Sequence, residues 1–235
     1  MIGLKKIDFS KFQDWRFLQL STFLILLIFV SPYLSKAWLT KLIFNFIFLN
    51  SVLVVFSTDS KMGSQKRRIF LLWGFSAFFS LLSYFYAESR FFMFFETLDI
   101  LSSAVLLIVL IYAILFHIFR EKDIHFDSIF AVLSVYLIIA ILFALFYSFI
   151  FAIQPASFHF STEQDVVPSS SGINSNMFYF SMVTLATLGY GDIVAVSHFA
   201  RNVSVVEALI GQFFVAVIVA MLVGKLVMNQ GDDKK

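Results

Sequence analysis

Apolar residues in this chain come in blocks too long for strands and too unbroken for surface helices. A helix rises about 1.5 Å per residue, so ~20 mostly apolar residues cross a ~30 Å hydrocarbon layer. Six blocks approach or exceed that length: residues 17–34, 38–56, 69–86, 98–119, 129–153 and 203–228. Each predicts a membrane-spanning helix. A seventh apolar stretch, 177–188, is about half as long and lies between the fifth and sixth blocks. It predicts a helix that enters the membrane without crossing it.

Lysine and arginine placement orients these spans, because cytoplasmic loops carry the excess of both. With the N-terminus inside, the inner side holds Lys5, Lys6, Lys11, Arg16, Lys61, Lys66, Arg67, Arg68, Arg120, Lys122, Lys225, Lys234 and Lys235. The outer side holds only Lys36, Lys41, Arg90 and Arg201. Both termini are therefore expected in the cytoplasm and residues 154–203 outside. The first block has no small-residue cleavage site after it, so it reads as a span and not as a signal peptide. Connections between spans are short, except for the serine-rich stretch 154–176, which reads as irregular outer structure.

Composition narrows the class. Of 235 residues, 60% are hydrophobic, 14% are charged and 33 are phenylalanine. A soluble domain carries ~25% charged residues, so a soluble enzyme, a disordered chain and a nucleic-acid binder are all excluded. A net charge of +2 offers no attraction to a polyanion. Without cysteine there is neither a disulfide nor a thiolate-held metal. No embedded acid pair, metal cluster or nucleotide loop appears, so no catalysis and no cofactor is expected. The fold class that remains is an all-α membrane protein.

Residues 177–192 read MFYFSMVTLATLGYGD. The stretch follows Asn174, Ser175 and Asn176, residue types that cap helix N-termini. It ends in Thr187-Leu188-Gly189-Tyr190-Gly191-Asp192, with glycines at alternating positions that a helix disfavours. Non-helical backbone is tolerated at membrane depth only inside protein or beside water. Glycine at every second position lets successive carbonyls point one way. Several copies around an axis would then stack rings of carbonyl oxygens that replace the water around a monovalent cation.

TLGYGD resembles the signature of the tetrameric potassium-channel family, with Leu188 where valine is commonest. The resemblance implies a homotetramer of this chain and three further copies, conducting K+ passively and selectively. It places K+ at the backbone carbonyls of Thr187, Leu188, Gly189 and Tyr190, an outer turn at Gly191 and Asp192 at the mouth. The Tyr190 ring would pack behind the filter. Ala186 stands where many members have a second threonine. Ala186, Glu207, Phe178 and Tyr179 are candidate filter supports. For Phe178, Tyr179 and Phe180, an aromatic cuff and ordinary helix packing remain open.

The sixth block resembles the inner, pore-lining helix of that family. Gly211 is a candidate hinge there, or else a close helix–helix contact. Val215, Ile218, Val219 and Leu222 share a stripe that could form a hydrophobic gate or face lipid or other helices. Lys225 is expected to snorkel to the interface. Glu207, ionisable at membrane depth, is expected to hydrogen-bond the short helix behind the filter.

Six spans with the filter before the last give the layout of voltage-gated channels, as a four-helix domain (1–127) followed by a pore domain (128–235). A voltage sensor would carry basic residues along the fourth span, but 98–119 holds no Lys or Arg, only Asp99 and His117. Each gating charge is worth about 2.3 kcal/mol per 100 mV. The conductance of the purified protein is therefore expected not to shift with voltage by several gating charges, which a conductance–voltage curve checks. His117 and His125 flank the bend after the fourth span and read as pH-responsive or interfacial residues. The seven residues after the last span leave no room for a soluble ligand-binding domain, so gating is expected in the filter, inner helix, lipid interface or a partner. The expected location is a plasma or prokaryotic inner membrane, embedded in lipid. The competing readings are a poorly selective cation channel and a non-conducting accessory subunit.

Overall fold

The computed structural model describes residues 15–30, 33, 37–58, 63–86, 89–120, 126–161 and 174–232. Its helices are α1 (Arg16–Val30), α2 (Ala37–Thr58), α3 (Gly63–Phe85), α4 (Phe92–Arg120), α5 (Phe126–Ile153), α6 (Ser175–Leu185) and α7 (His198–Asp232). Among the described residues, four helices contain stretches long and apolar enough to cross a membrane: 67–85, Phe92–Arg120, 127–153 and 198–218. The apolar parts of the other two long blocks are shorter, Arg16–Val30 and 39–55. His125 and most of the serine-rich connection lie outside the described residues, as do Lys5, Lys6, Lys11, Lys234 and Lys235.

α5 organises the molecule. It packs against α1, α4, α6 and α7. Leu20, Leu24 and Leu27 of α1 meet Leu106, Leu110 and Ile114 of α4 and Ala131, Val135 and Ile138 of α5 in one buried cluster, which continues to Phe178 and Leu185 of α6. The hydrophobic core thus runs without a break across the boundary expected at residues 127/128. Asp127, at the start of α5, accepts hydrogen bonds through Oδ1 from the backbone N–H groups of Phe17 (3.0 Å) and Leu18 (3.1 Å). Those are first-turn donors of α1 that have no partner within their own helix, so α5 caps α1. His117 stacks on Phe17 with ring centroids 5.5 Å apart, beside the same junction.

Two features depart from the sequence reading. First, the mostly helical fold carries a short ribbon: β1 (Phe158–Phe160) pairs antiparallel with β2 (Ile193–Ala195), Phe158 opposite Ala195 and Phe160 opposite Ile193. The stretch after α5 is therefore not wholly irregular, and it reaches back to the residues after Asp192. Alternating Phe158 and Phe160 supply the apolar side of this ribbon, and Phe158 meets Tyr147 and Phe180 edge to face.

Second, Lys41, placed above among the outer residues, is inside the bundle at 7% exposure. Its ammonium donates to Glu96 Oε2 at 3.0 Å, to Asp99 Oδ2 at 3.1 Å and to Ser83 Oγ. α4 begins six residues earlier than the apolar block suggested, so Glu96 joins Asp99 on its buried face, and the bundle holds an embedded acid pair where the sequence reading expected none. One ammonium thereby ties α2 to α3 and α4. Asn45, one turn along α2, adds a second polar link by donating to Ser80 Oγ at 3.1 Å.

Candidate functional site

α6 is short because both of its ends are fixed. At its start the Asn174 side chain accepts from the Asn176 backbone N–H at 2.9 Å, while the Asn174 N–H donates to Ser148 Oγ of α5 at 2.9 Å. Midway, Ser181 Oγ lies 2.8 Å from the Ala140 carbonyl of α5. At its end, the Tyr136 hydroxyl of α5 donates to the Leu185 carbonyl at 3.0 Å. Three contacts with one helix thus set the position of α6, and α7 closes on it from the other side.

The helix ends in a pair of reversed bonds. Leu188 N–H donates to Val183 O at 2.9 Å, and Thr187 N–H donates to Thr184 O at 3.0 Å. This is a Schellman termination, which needs a left-handed residue just past the cap. That residue is Thr187, with φ of +57°. Threonine is β-branched and rarely adopts this conformation, so the backbone is strained there. The Gln212 amide of α7 donates to Thr187 Oγ1 at 3.2 Å and helps hold it.

Left-handed backbone then recurs at every second residue. Gly189 has φ of +58° and Gly191 of +81°, whereas Leu188 and Tyr190 keep negative φ. Left-handed residues at every second position are the backbone pattern that the glycine spacing predicts. Thr187 extends the pattern one step earlier than glycine alone could indicate. Residues 186–191 are exposed in the single chain. The Tyr190 ring, expected to pack behind this segment, is 67% exposed and so is not covered by its own chain.

Beyond the segment, the Tyr179 hydroxyl donates to Asp192 Oδ2 at 2.6 Å and the Asp192 carbonyl accepts from Ser161 N–H at 2.9 Å. The β1–β2 ribbon follows at once. The extended stretch is therefore clamped at its start by α6 and Gln212, and just past its end by Tyr179 and the ribbon.

The supporting residues sort as follows. Phe178 and Phe180 are buried within the chain, packed into its apolar clusters. Tyr179 alone of the three reaches the segment's end. Ala186 is the α6 C-cap with ordinary helical backbone, φ −78° and ψ −1°. Glu207 is fully buried; its Oε1 lies 2.5 Å from Ser181 Oγ and its Oε2 accepts from the Tyr147 hydroxyl at 2.6 Å. Sequence reasoning found Glu207 but missed Tyr136, Tyr147, Ser181 and Gln212. The available signal was the occurrence of hydroxyl and amide groups on otherwise apolar helices, where each needs a partner.

On α7, Gly211 is a close contact and sits in an unbroken helix. A Cβ built there would stand 2.2 Å from the Leu185 carbonyl oxygen, a backbone atom that Tyr136 already holds. Gly211→Ala is expected to force α7 off α6 at a cost of about 1–3 kcal/mol, read as a lowered melting temperature in detergent. The stripe of candidate gate residues divides: Ile218 is buried within the chain at 4% exposure, while Val215 is 50% exposed. These two therefore do not share one free face. The side chains of Val219, Leu222 and Lys225 lie outside the described set.

A family model described as an ion channel matches residues 104–228, more than half of the chain. No curated protein and no solved structure matches it.

Proposed function

Since the chain belongs to this ion-channel family, we propose that it is a potassium-selective channel, assembled from four copies, with residues 187–191 as its filter. The observation that carries this reading is the left-handed backbone at Thr187, Gly189 and Gly191, at the end of a short helix fixed by α5 and α7. Carbonyls sharing one side give a single chain a quarter of a coordination ring. Four chains around an axis complete it and cover the backbone that one chain leaves bare. Dehydrated K+ would then pass between the carbonyls of Thr187, Leu188, Gly189 and Tyr190, below Asp192 at the mouth.

In this arrangement the chain spans the membrane six times, with α1–α4 as one domain (1–127) and α5 to α7 as the pore domain (128–235). α6 is the re-entrant helix, and both termini face the cytoplasm of a plasma or prokaryotic inner membrane. The exposed side of α7, including Val215, would line the inner vestibule. α6 points its C-terminal end toward the extended segment, where the negative pole of its dipole favours a cation. α4 carries acidic Glu96 and Asp99 and has Arg120 only as its last residue, a pattern unlike that of a basic voltage sensor.

Reversal potentials of the reconstituted protein in opposed potassium and sodium gradients test the reading. A reversal that follows the potassium gradient is expected. A reversal near zero would make the protein a poorly selective cation channel, and the absence of current under all conditions a non-conducting subunit.

A further inference from the structure

Behind the extended segment, the hydrogen-bond inventory around Glu207 does not balance unless the carboxyl carries a proton. Three oxygen–oxygen contacts meet there: Ser181 Oγ to Ala140 O at 2.8 Å, Ser181 Oγ to Glu207 Oε1 at 2.5 Å, and Tyr147 Oη to Glu207 Oε2 at 2.6 Å. The neighbouring Ser204 hydroxyl is committed to Ala200 O at 2.9 Å, and sits 3.4 Å from Tyr147 Oη. A carbonyl and a carboxylate only accept, and each hydroxyl owns one proton.

If Glu207 were ionised, Ser181 and Tyr147 would bring two protons to three contacts. Ser181 would then have to leave either Ala140 or Glu207 facing an undonated oxygen at contact distance. If Glu207 is protonated, three protons fill three contacts. Its Oε1–H donates to Ser181, Ser181 donates to Ala140 O, and Tyr147 donates to Oε2. Burial points the same way. Glu207 is fully enclosed, and among the described residues no salt bridge reaches it. A buried charge without a counter-ion is strongly disfavoured, whereas a neutral acid with every bond made is not.

We infer that Glu207 is a neutral, proton-bearing positioning residue that joins α5, α6 and α7 behind residues 187–191. It belongs to α7, Ser181 to α6, and Tyr147 and Ala140 to α5, so the single carboxylic acid is the common node of all three helices. The proton assignment stands on these contacts. Its consequence for selectivity rests on the reading of residues 187–191 as the ion path.

Infrared spectra of the full-length reconstituted protein and its Glu207→Gln variant test the assignment. Loss of a protonated-acid carbonyl band in Glu207→Gln at neutral pH is expected; loss of carboxylate bands instead would overturn it. Glutamine places a donating NH2 and an accepting carbonyl oxygen where the neutral acid has its O–H and its carbonyl oxygen. Potassium-over-sodium selectivity is therefore expected to stay within about twofold in Glu207→Gln and to fall about tenfold or more in Glu207→Ala. If Glu207→Gln proves as unselective as Glu207→Ala, the neutral form is wrong; if Glu207→Ala keeps full selectivity, the positioning role is. A harmless Gly189→Ala variant alongside the expected infrared change would sink the pore reading and leave the proton assignment standing.

Discussion

Gly189→Ala is expected to abolish selective potassium flux while leaving the folded chain almost as stable as before. Gly189 sits at φ +58°, and among the described residues no heavy atom beyond Gly189 and its two chain neighbours lies within 4 Å of where a Cβ would go. The substitution therefore meets no steric wall within the chain. Its cost is conformational, about 1–2 kcal/mol for an L-residue held left-handed. Exposed backbone on either side can relax that strain by rotating a peptide plane. Rotation restores a comfortable φ but, in the filter proposed above, swings a carbonyl away from the ion. In a four-fold assembly, one such turn per chain removes a whole ring of oxygens from the ion path. The measurement has two parts: a melting temperature in detergent close to that of the parent, and a reversal potential that no longer follows the potassium gradient. A variant that still discriminates potassium from sodium would remove residues 187–191 from the ion path.

Thr187 shows the opposite way of reaching the same backbone shape. It lacks glycine's freedom, yet stands at φ +57° because two reversed bonds at the end of α6 and the Gln212 amide leave it little alternative. Sequence patterning could find Gly189 and Gly191, because glycine announces a left-handed position by its identity. It could not find Thr187, whose conformation is imposed by neighbours distant in sequence. The same contrast runs through the rest of the molecule. α6 was legible from Asn174 and from the length of its apolar run, both local signals. The β1–β2 ribbon was not, since each strand is three residues long and its partner lies more than thirty positions away. Gly211 was legible as a small residue with two roles open. Only the carbonyl of Leu185 against it decides for close packing in this structure. Hydropathy likewise set the fourth block to begin after Glu96, because a charged residue lowers the local average whether it faces lipid or a buried partner.

That last blind spot matters most at Lys41. Charge counting assigns a lysine near the start of an apolar block to the adjacent loop, yet here the ammonium has all three of its donors engaged inside the bundle. Lys41→Met removes the charge while keeping most of the apolar stem. It leaves the Glu96 and Asp99 carboxylates buried and close together without the ammonium between them. Breaking a buried ion pair from one side costs about 3–5 kcal/mol, because the charge left behind loses its partner without regaining water. For a chain of this length that corresponds to a drop on the order of 10 °C in melting temperature. The loss should be reversible by chemistry as well as by position: neutralising the acids in the same chain, as Lys41→Met with Glu96→Gln and Asp99→Asn, takes away the uncompensated charge and is expected to recover most of the stability. Thermal unfolding of the single and triple variants in one detergent gives the comparison. If Lys41→Met melts with the parent, the ammonium does not bind α2 to α4. If the triple variant is no better than the single one, the hydrogen bonds to Ser83 and its neighbours, and not the balance of charge, hold that end of the bundle together.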